Sequence, residues 1–114
     1  MHKNKNILDA TGNALNGIKE LIQEKSARRE LLLIVLSVSF FCYKPNVYTV
    51  LIAVLSLVLL AVEALNTALE KTCDLITVEQ HPEIKKIKDL GAAAVFIIVL
   101  TIALIFIRYL SPFF

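Results

Sequence analysis

Polar and apolar positions follow one another along this chain in blocks, and the blocks carry a helical period. From Ile7 to Ile22 the apolar residues Ile7, Leu8, Ala10, Ala14, Leu15, Ile18, Leu21 and Ile22 recur every third or fourth position, with Lys19, Glu20 and Gln23 on the other side. This spacing predicts an amphipathic helix over about 6–25 with one oily stripe. Leu31 to Tyr43 is an unbroken apolar run, about 20 Å long at the helical rise. That is short for a crossing, so the helix is expected to start near Ala27, with Arg28 and Arg29 reaching back to the headgroups. Lys44, Pro45 and Asn46 interrupt it, because proline lacks a donor and restricts the residue ahead of it. A second run starts at Val47 and is free of charge through Ala61. With no Pro or Gly before Pro82, its helix is expected to continue past Glu63 through Asp74. A third run, from Gly91 to about Tyr109, is long enough to cross a bilayer. The pattern predicts one all-α integral membrane domain over 1–114: a surface helix lying in the interface plane, then three transmembrane helices at about 27–43, 47–69 and 90–109.

Composition agrees with that reading. At 114 residues, 57% hydrophobic and a mean hydropathy of +0.70, the chain is too apolar for an ordinary soluble domain and too short for two domains. A net charge of +2 gives no reason to expect a nucleic-acid partner. The placement of charge says more. Every Asp and Glu, and every Lys and Arg except Lys44 and Arg108, lies within 1–30 or 63–89. By the positive-inside rule those segments and the N-terminus are expected in the cytoplasm, with the C-terminus outside. Cys42 and Cys73 have no Cys-x-x-Cys or His-rich spacing around them and read as apolar packing residues, and the first thirty residues lack a signal-peptide pattern.

The candidate chemistry lies where the second apolar run ends. Glu63, Asn66, Glu70 and Asp74 fall within a sector of roughly 80° on a helix. Burying a carboxylate as deep as Glu63 costs a few kcal/mol unless it is paired, protonated or wetted. Asp74 reads equally well as part of a solvated face. For Glu63, Asn66 and Glu70, the gathering of acceptor oxygens favours a hard divalent cation, Mg²⁺ above all, bound with phosphate oxygens of a substrate. Lys88 and Asp89 stand just before the third span; Lys88 is either a headgroup anchor or a phosphate clamp opposite the acidic stripe. Gly91 and Ala92 to Ala94 are small enough for close helix approach, which would bring Lys88 near the stripe. Glu24 and Glu30 flank the start of the first span, where Glu24 either pairs with Arg28 or is a further metal ligand. With Gly12, Gly17 and Gly91 as its three glycines, the chain has neither a Walker motif nor a Gly-x-Gly-x-x-Gly loop.

Taken together, "EALNTALEKTCD" and "KDLGAAAV" resemble the small prokaryotic diacylglycerol kinase family, which includes undecaprenol kinases. The matching positions are Glu63, Asn66, Glu70, Asp74, Glu79, His81, Lys88 and Asp89. The resemblance implies a homotrimeric lipid kinase of the bacterial inner membrane, with active sites shared between subunits. It implies Glu63 as general base, and Glu24 and Glu70 as ligands of the Mg²⁺ on ATP. By the same carry-over Glu79, Gln80, His81, Lys88 and Asp89 contact the nucleotide, Glu63, Glu30 and Ala92 face the lipid, and Asn66 and Asp74 support the site. Asn13 and Asn6 stand where diacylglycerol kinases often carry tyrosine and arginine, and Ala92 where many have serine. His81–Pro82 leans toward undecaprenol, whereas Glu30 and the Lys-Asp-Leu-Gly segment lean toward diacylglycerol, the preferred substrate of this reading. Two other classes remain: a proton-coupled transporter using Glu63 as carrier, and a non-catalytic subunit binding through its polar face.

Overall fold

Capping side chains mark the start of three of the four helices. The computed structural model describes residues 6–77, 79 and 81–111, which form four helices and no strand: α1 (Ile7–Ile22), α2 (Lys25–Tyr43), α3 (Val47–Ile76) and α4 (Pro82–Leu110). Asn6 starts α1, its side chain accepting the Asp9 backbone N–H at 2.9 Å. Asn46 starts α3 in the same way, accepting from Tyr48 and Thr49, while Thr49 Oγ1 accepts from the Asn46 N–H to close a capping box. The expected break at Pro45 is thus a helix end and a helix start side by side.

The fourth helix departs from expectation. It begins at Pro82, well upstream of Gly91, where the third apolar run starts, so the connection from α3 is limited to 77–81. Proline at the first helical position loses no bond it could have made, and its φ is already helical. His81 completes the start by accepting the Glu83 N–H on Nδ1 at 3.1 Å. Lys85, Lys88 and Asp89 therefore stand on a rigid helix rather than a loop.

Helix α3 is the centre of the bundle, with α2 and α4 packed against it. It supplies Ile52, Ala53, Leu59 and Cys73 to the core, joined by Ala27 of α2. No residue of α4 is buried, and Phe96, Ile97, Leu100, Leu104, Phe106 and Ile107 stand exposed along it. The molecule is a slab 21 Å thick, roughly two helix diameters, so most side chains face outward. Water would not tolerate so large an apolar surface. Helices α3 and α4 are long and apolar enough to cross a membrane, and the whole is compatible with an all-α membrane protein. The shorter α2 carries Lys25, Arg28, Arg29 and Glu30 in its first turns. On α1, Ile7, Leu8, Leu15, Ile18 and Ile22 form an apolar stripe that the chain leaves uncovered.

At the end of the bundle where α4 finishes, Tyr109 stacks edge-on against Phe40 at 5.3 Å and Tyr48 at 6.3 Å, and Arg108 lies 5.3 Å from the Tyr48 ring. Tyr rings with a cation suit a boundary between hydrocarbon and water.

Candidate functional site

Glu63 is the deepest carboxylate of α3, only 7% exposed. Its Oε1 accepts a hydrogen bond from Ser26 Oγ of α2 at 2.7 Å, the short length of a charge-assisted bond. Glu30, one turn further along α2, lies close enough for its carboxylate to repel that of Glu63. Its Oε2 is buried and has no hydrogen-bond partner among the described residues.

Asn66, 9% exposed, faces the other neighbour, α4. A Cβ built on Gly91 would collide with Asn66 Oδ1 and come within 3.0 Å of Leu69 Cδ2. Glycine is what lets α4 approach this near. The Asn66 Nδ2 donates to Glu70 Oε1 at 3.1 Å, and Asn66 Oδ1 is the second buried oxygen left without a partner among the described residues.

Beyond this level the stripe meets cations. Glu24 Oε1 pairs with Lys71 Nζ at 3.3 Å, so its side chain turns to α3 and not to Arg28, the i+4 partner considered above. Lys88 Nζ donates to Asp74 Oδ1 at 2.8 Å across the α3–α4 junction. That hydrogen bond holds the Lys88 ammonium above the usual lysine range. Lys85 pairs with Asp89 at 2.6 Å along α4. An open cleft of about 600 Å³ is lined by Asp74, Thr77, Glu79, His81, Lys85, Lys88 and Asp89 among others. The Glu79 backbone N–H donates to Thr77 Oγ1 at 3.0 Å, which folds the short connection beside the cleft.

The expected residues thus fall into two groups on one face of α3. Glu63 is buried on the side of α2, with the half-buried Glu30 of α2 nearby. Asp74, Glu79, His81, Lys88 and Asp89 share the open cleft, with Asn66, Glu70 and Glu24 lying between these levels. Ala92 is exposed just after Gly91, and Gln80 lies outside the described residues. Three contributors carried no motif: Ser26, Lys71 and Lys85. Lys71 and Lys85 are visible in the sequence as cations of the polar segment, but which carboxylate each meets depends on how the helices are rotated.

Among the described residues, no three His, Cys, Asp or Glu side chains converge to cage a metal. The donors present are carboxylate oxygens in small number. This set fits Mg²⁺ held largely by phosphate oxygens, and does not fit a metal bound by protein alone.

Relatives bear on what such an arrangement is for. The chain is similar to proteins named diacylglycerol kinase from Pseudomonas aeruginosa, 36% identical over 96 residues (82% of this chain, 78% of the relative), and Haemophilus influenzae, 31% identical over 94 residues (80% of each). A third, from Sinorhizobium, is 34% identical over 98 residues, covering 79% of this chain and 67% of the relative. Residues 12–110 match the family model described as prokaryotic diacylglycerol kinase. That span takes in both levels of the site, α2, α3 and α4 entire and α1 from Gly12 onward, and the chain belongs to this family.

Proposed function

We propose that this chain transfers the terminal phosphoryl group of ATP to the hydroxyl of diacylglycerol, giving phosphatidic acid, at the cytoplasmic face of the bacterial inner membrane. The observation that carries the reading is Glu63: a carboxylate buried where the apolar run of α3 ends, on the same helical stripe as Asp74, which lines a cleft bearing Lys85 and Lys88. Family membership favours a kinase over a proton carrier or a non-catalytic subunit.

Depth supports the same reading. A crossing takes about 20 residues. Counted from Val47 along α3 it ends near Asn66, and counted back from Leu110 along α4 it ends near Gly91, the very pair in contact. Glu63 would then stand where a lipid hydroxyl resides, and the cleft on the aqueous side where ATP arrives. This reading takes α2 as a third span whose first-turn charges snorkel, and α1 as a helix lying in the interface on its oily stripe. The N-terminus is then cytoplasmic and the C-terminus outside.

Phosphoryl transfer asks a protein for alignment and charge neutralisation, with little covalent chemistry. Glu63 would accept the proton of the lipid hydroxyl as that oxygen attacks. Glu30 and the small Ala92 would border the lipid headgroup. Lys88 and Asp89, with Glu79, Gln80 and His81, would hold the nucleotide. Asn66 fixes Glu70, and Asp74 fixes Lys88, in supporting roles. Glu24 and Glu70 are the side chains that would hold Mg²⁺, which when bound neutralises charge on the phosphate oxygens. An exposed cleft on a slab this thin gains enclosure if a neighbouring subunit covers it, in keeping with a homotrimer whose sites are shared.

The test is phosphate transfer from radiolabelled MgATP by the purified chain in lipid micelles, with diacylglycerol and undecaprenol side by side. Diacylglycerol is expected to be the faster acceptor; faster labelling of undecaprenol reverses the lipid assignment. Glu63→Gln is expected to lower turnover by about a hundredfold or more while nucleotide binding persists. Unchanged turnover in that variant removes Glu63 from the mechanism.

A further inference from the structure

Two kinds of hydroxyl bond stand side by side in the helices of this chain. The hydroxyls of Thr11, Ser37, Ser56, Thr72 and Thr101 turn back onto a carbonyl of their own helix three or four residues earlier. Ser26 does not. It sits in the first turn of α2, and its Oγ donates across to Glu63 Oε1 of α3 at 2.7 Å. The adjacent Ala27 is fully buried, so this turn packs against the bundle.

The consequence concerns direction. A carboxylate turns easily about its last torsion, whose preferences are broad. The Ser26 hydroxyl is a hydrogen-bond donor that reaches Glu63 Oε1 from outside α3, and it fixes that oxygen on the side of α2. With Oε1 tied, Oε2 has a defined orientation. We infer that Ser26 is the positioning residue of the Glu63 base, its hydroxyl holding Oε1 so that Oε2 is presented to the lipid hydroxyl. This rests on the proposal that Glu63 takes that proton. Ser26 itself touches neither substrate; it acts through Glu63.

A base whose orientation is averaged loses rate, not substrate affinity. Steady-state kinetics in micelles on Ser26→Ala and Ser26→Thr test the assignment, with Glu63→Gln run in parallel. Ser26→Ala is expected to lower kcat about tenfold with KM for MgATP unchanged. Ser26→Thr, which keeps a hydroxyl, is expected to recover most of the lost kcat. Wild-type kcat in Ser26→Ala overturns the inference, as does a loss that threonine does not recover or one that appears in KM for MgATP. The two readings fail separately. Full turnover in Glu63→Gln removes the base assignment itself, whereas an inactive Glu63→Gln beside a fully active Ser26→Ala removes the role of Ser26 alone.

Discussion

Between Val47 and Ala61, α3 buries Thr49 and Ser56 completely; between Val62 and Ile76 it buries Glu63 and Asn66 almost as well. Both halves of one helix therefore take polar groups out of water, yet they satisfy them differently. Thr49 donates to the Lys44 carbonyl at 2.8 Å and Ser56 to the Ile52 carbonyl at 2.8 Å, bonds closed locally, within the helix and the turn that leads into it. In the second half, Ser26 reaches Glu63 from another helix, Glu70 takes one side of the Asn66 amide, and the oxygens Asn66 Oδ1 and Glu30 Oε2 are left over. A buried oxygen without a partner carries a desolvation cost of about 1–3 kcal/mol. The first half is arranged for folding alone. The second leaves acceptors where a substrate, and not the fold, can use them.

The sharpest way to break this contrast is to disturb the close approach that sets the second half. Gly91→Ala puts a Cβ against Asn66 Oδ1 and near Leu69, so Asn66 has to move and release Glu70. Overpacking of this kind costs about 1–3 kcal/mol, read as a lower thermal midpoint in micelles, and KM for MgATP is expected to rise as Glu70 loses its support. Asn66→Ala removes the obstructing side chain. In that background Gly91→Ala should cost markedly less, a coupling that a double-mutant cycle measures directly. Equal costs in both backgrounds would mean that the α3–α4 approach does not depend on this pair.

The same contrast explains what could be read from the chain before any coordinates. The three-to-four spacing over Ile7–Ile22 marks a helix there, although the helix ends at Ile22 and not near 25, and Lys44-Pro45-Asn46 marks the break between α2 and α3, because period and caps are local properties. The stripe of Glu63, Asn66, Glu70 and Asp74 is equally local, since helical geometry alone puts those positions on one face. Pro82 was a local signal as well: proline favours a first turn, but it lay inside a polar stretch that reads as loop. Contacts between helices are another matter. That Ser26 meets Glu63, Lys71 meets Glu24 and Lys88 meets Asp74 depends on crossing angles and axial rotation, which no periodicity records. Family resemblance attached roles to the residues but could not supply those partners.

A smaller effect is expected at the solvent edge of the second half. Asp74 accepts from Lys88, and this bond keeps Lys88 charged beyond the usual lysine range. A base with a raised pKa gives its contribution in full below the ordinary lysine pKa and loses it as pH climbs through the raised value, so the pair is intact at neutral pH. Asp74→Asn removes the main cause of the shift. Lys88 should then titrate lower, which an Nζ-detected NMR titration reads, while stability at neutral pH changes little because the pair is exposed. An unchanged Lys88 titration would mean that the pair does not form in solution.

The smallest effect belongs to the first half, and it is diagnostic for that reason. Ser56 is fully buried, but its hydroxyl serves only the Ile52 carbonyl of its own helix. Removing the hydroxyl strips no partner from another helix, and Ile52 keeps its ordinary backbone bond. Ser56→Ala is therefore expected to change stability by no more than about 0.5 kcal/mol and to leave kcat untouched. Both outcomes are measured beside Ser26→Ala, a hydroxyl deletion of the same size that differs in crossing between helices. If Ser56→Ala instead lowers the thermal midpoint or turnover as much as Ser26→Ala does, the decisive variable is burial itself, and the division of α3 into a folding half and a working half fails.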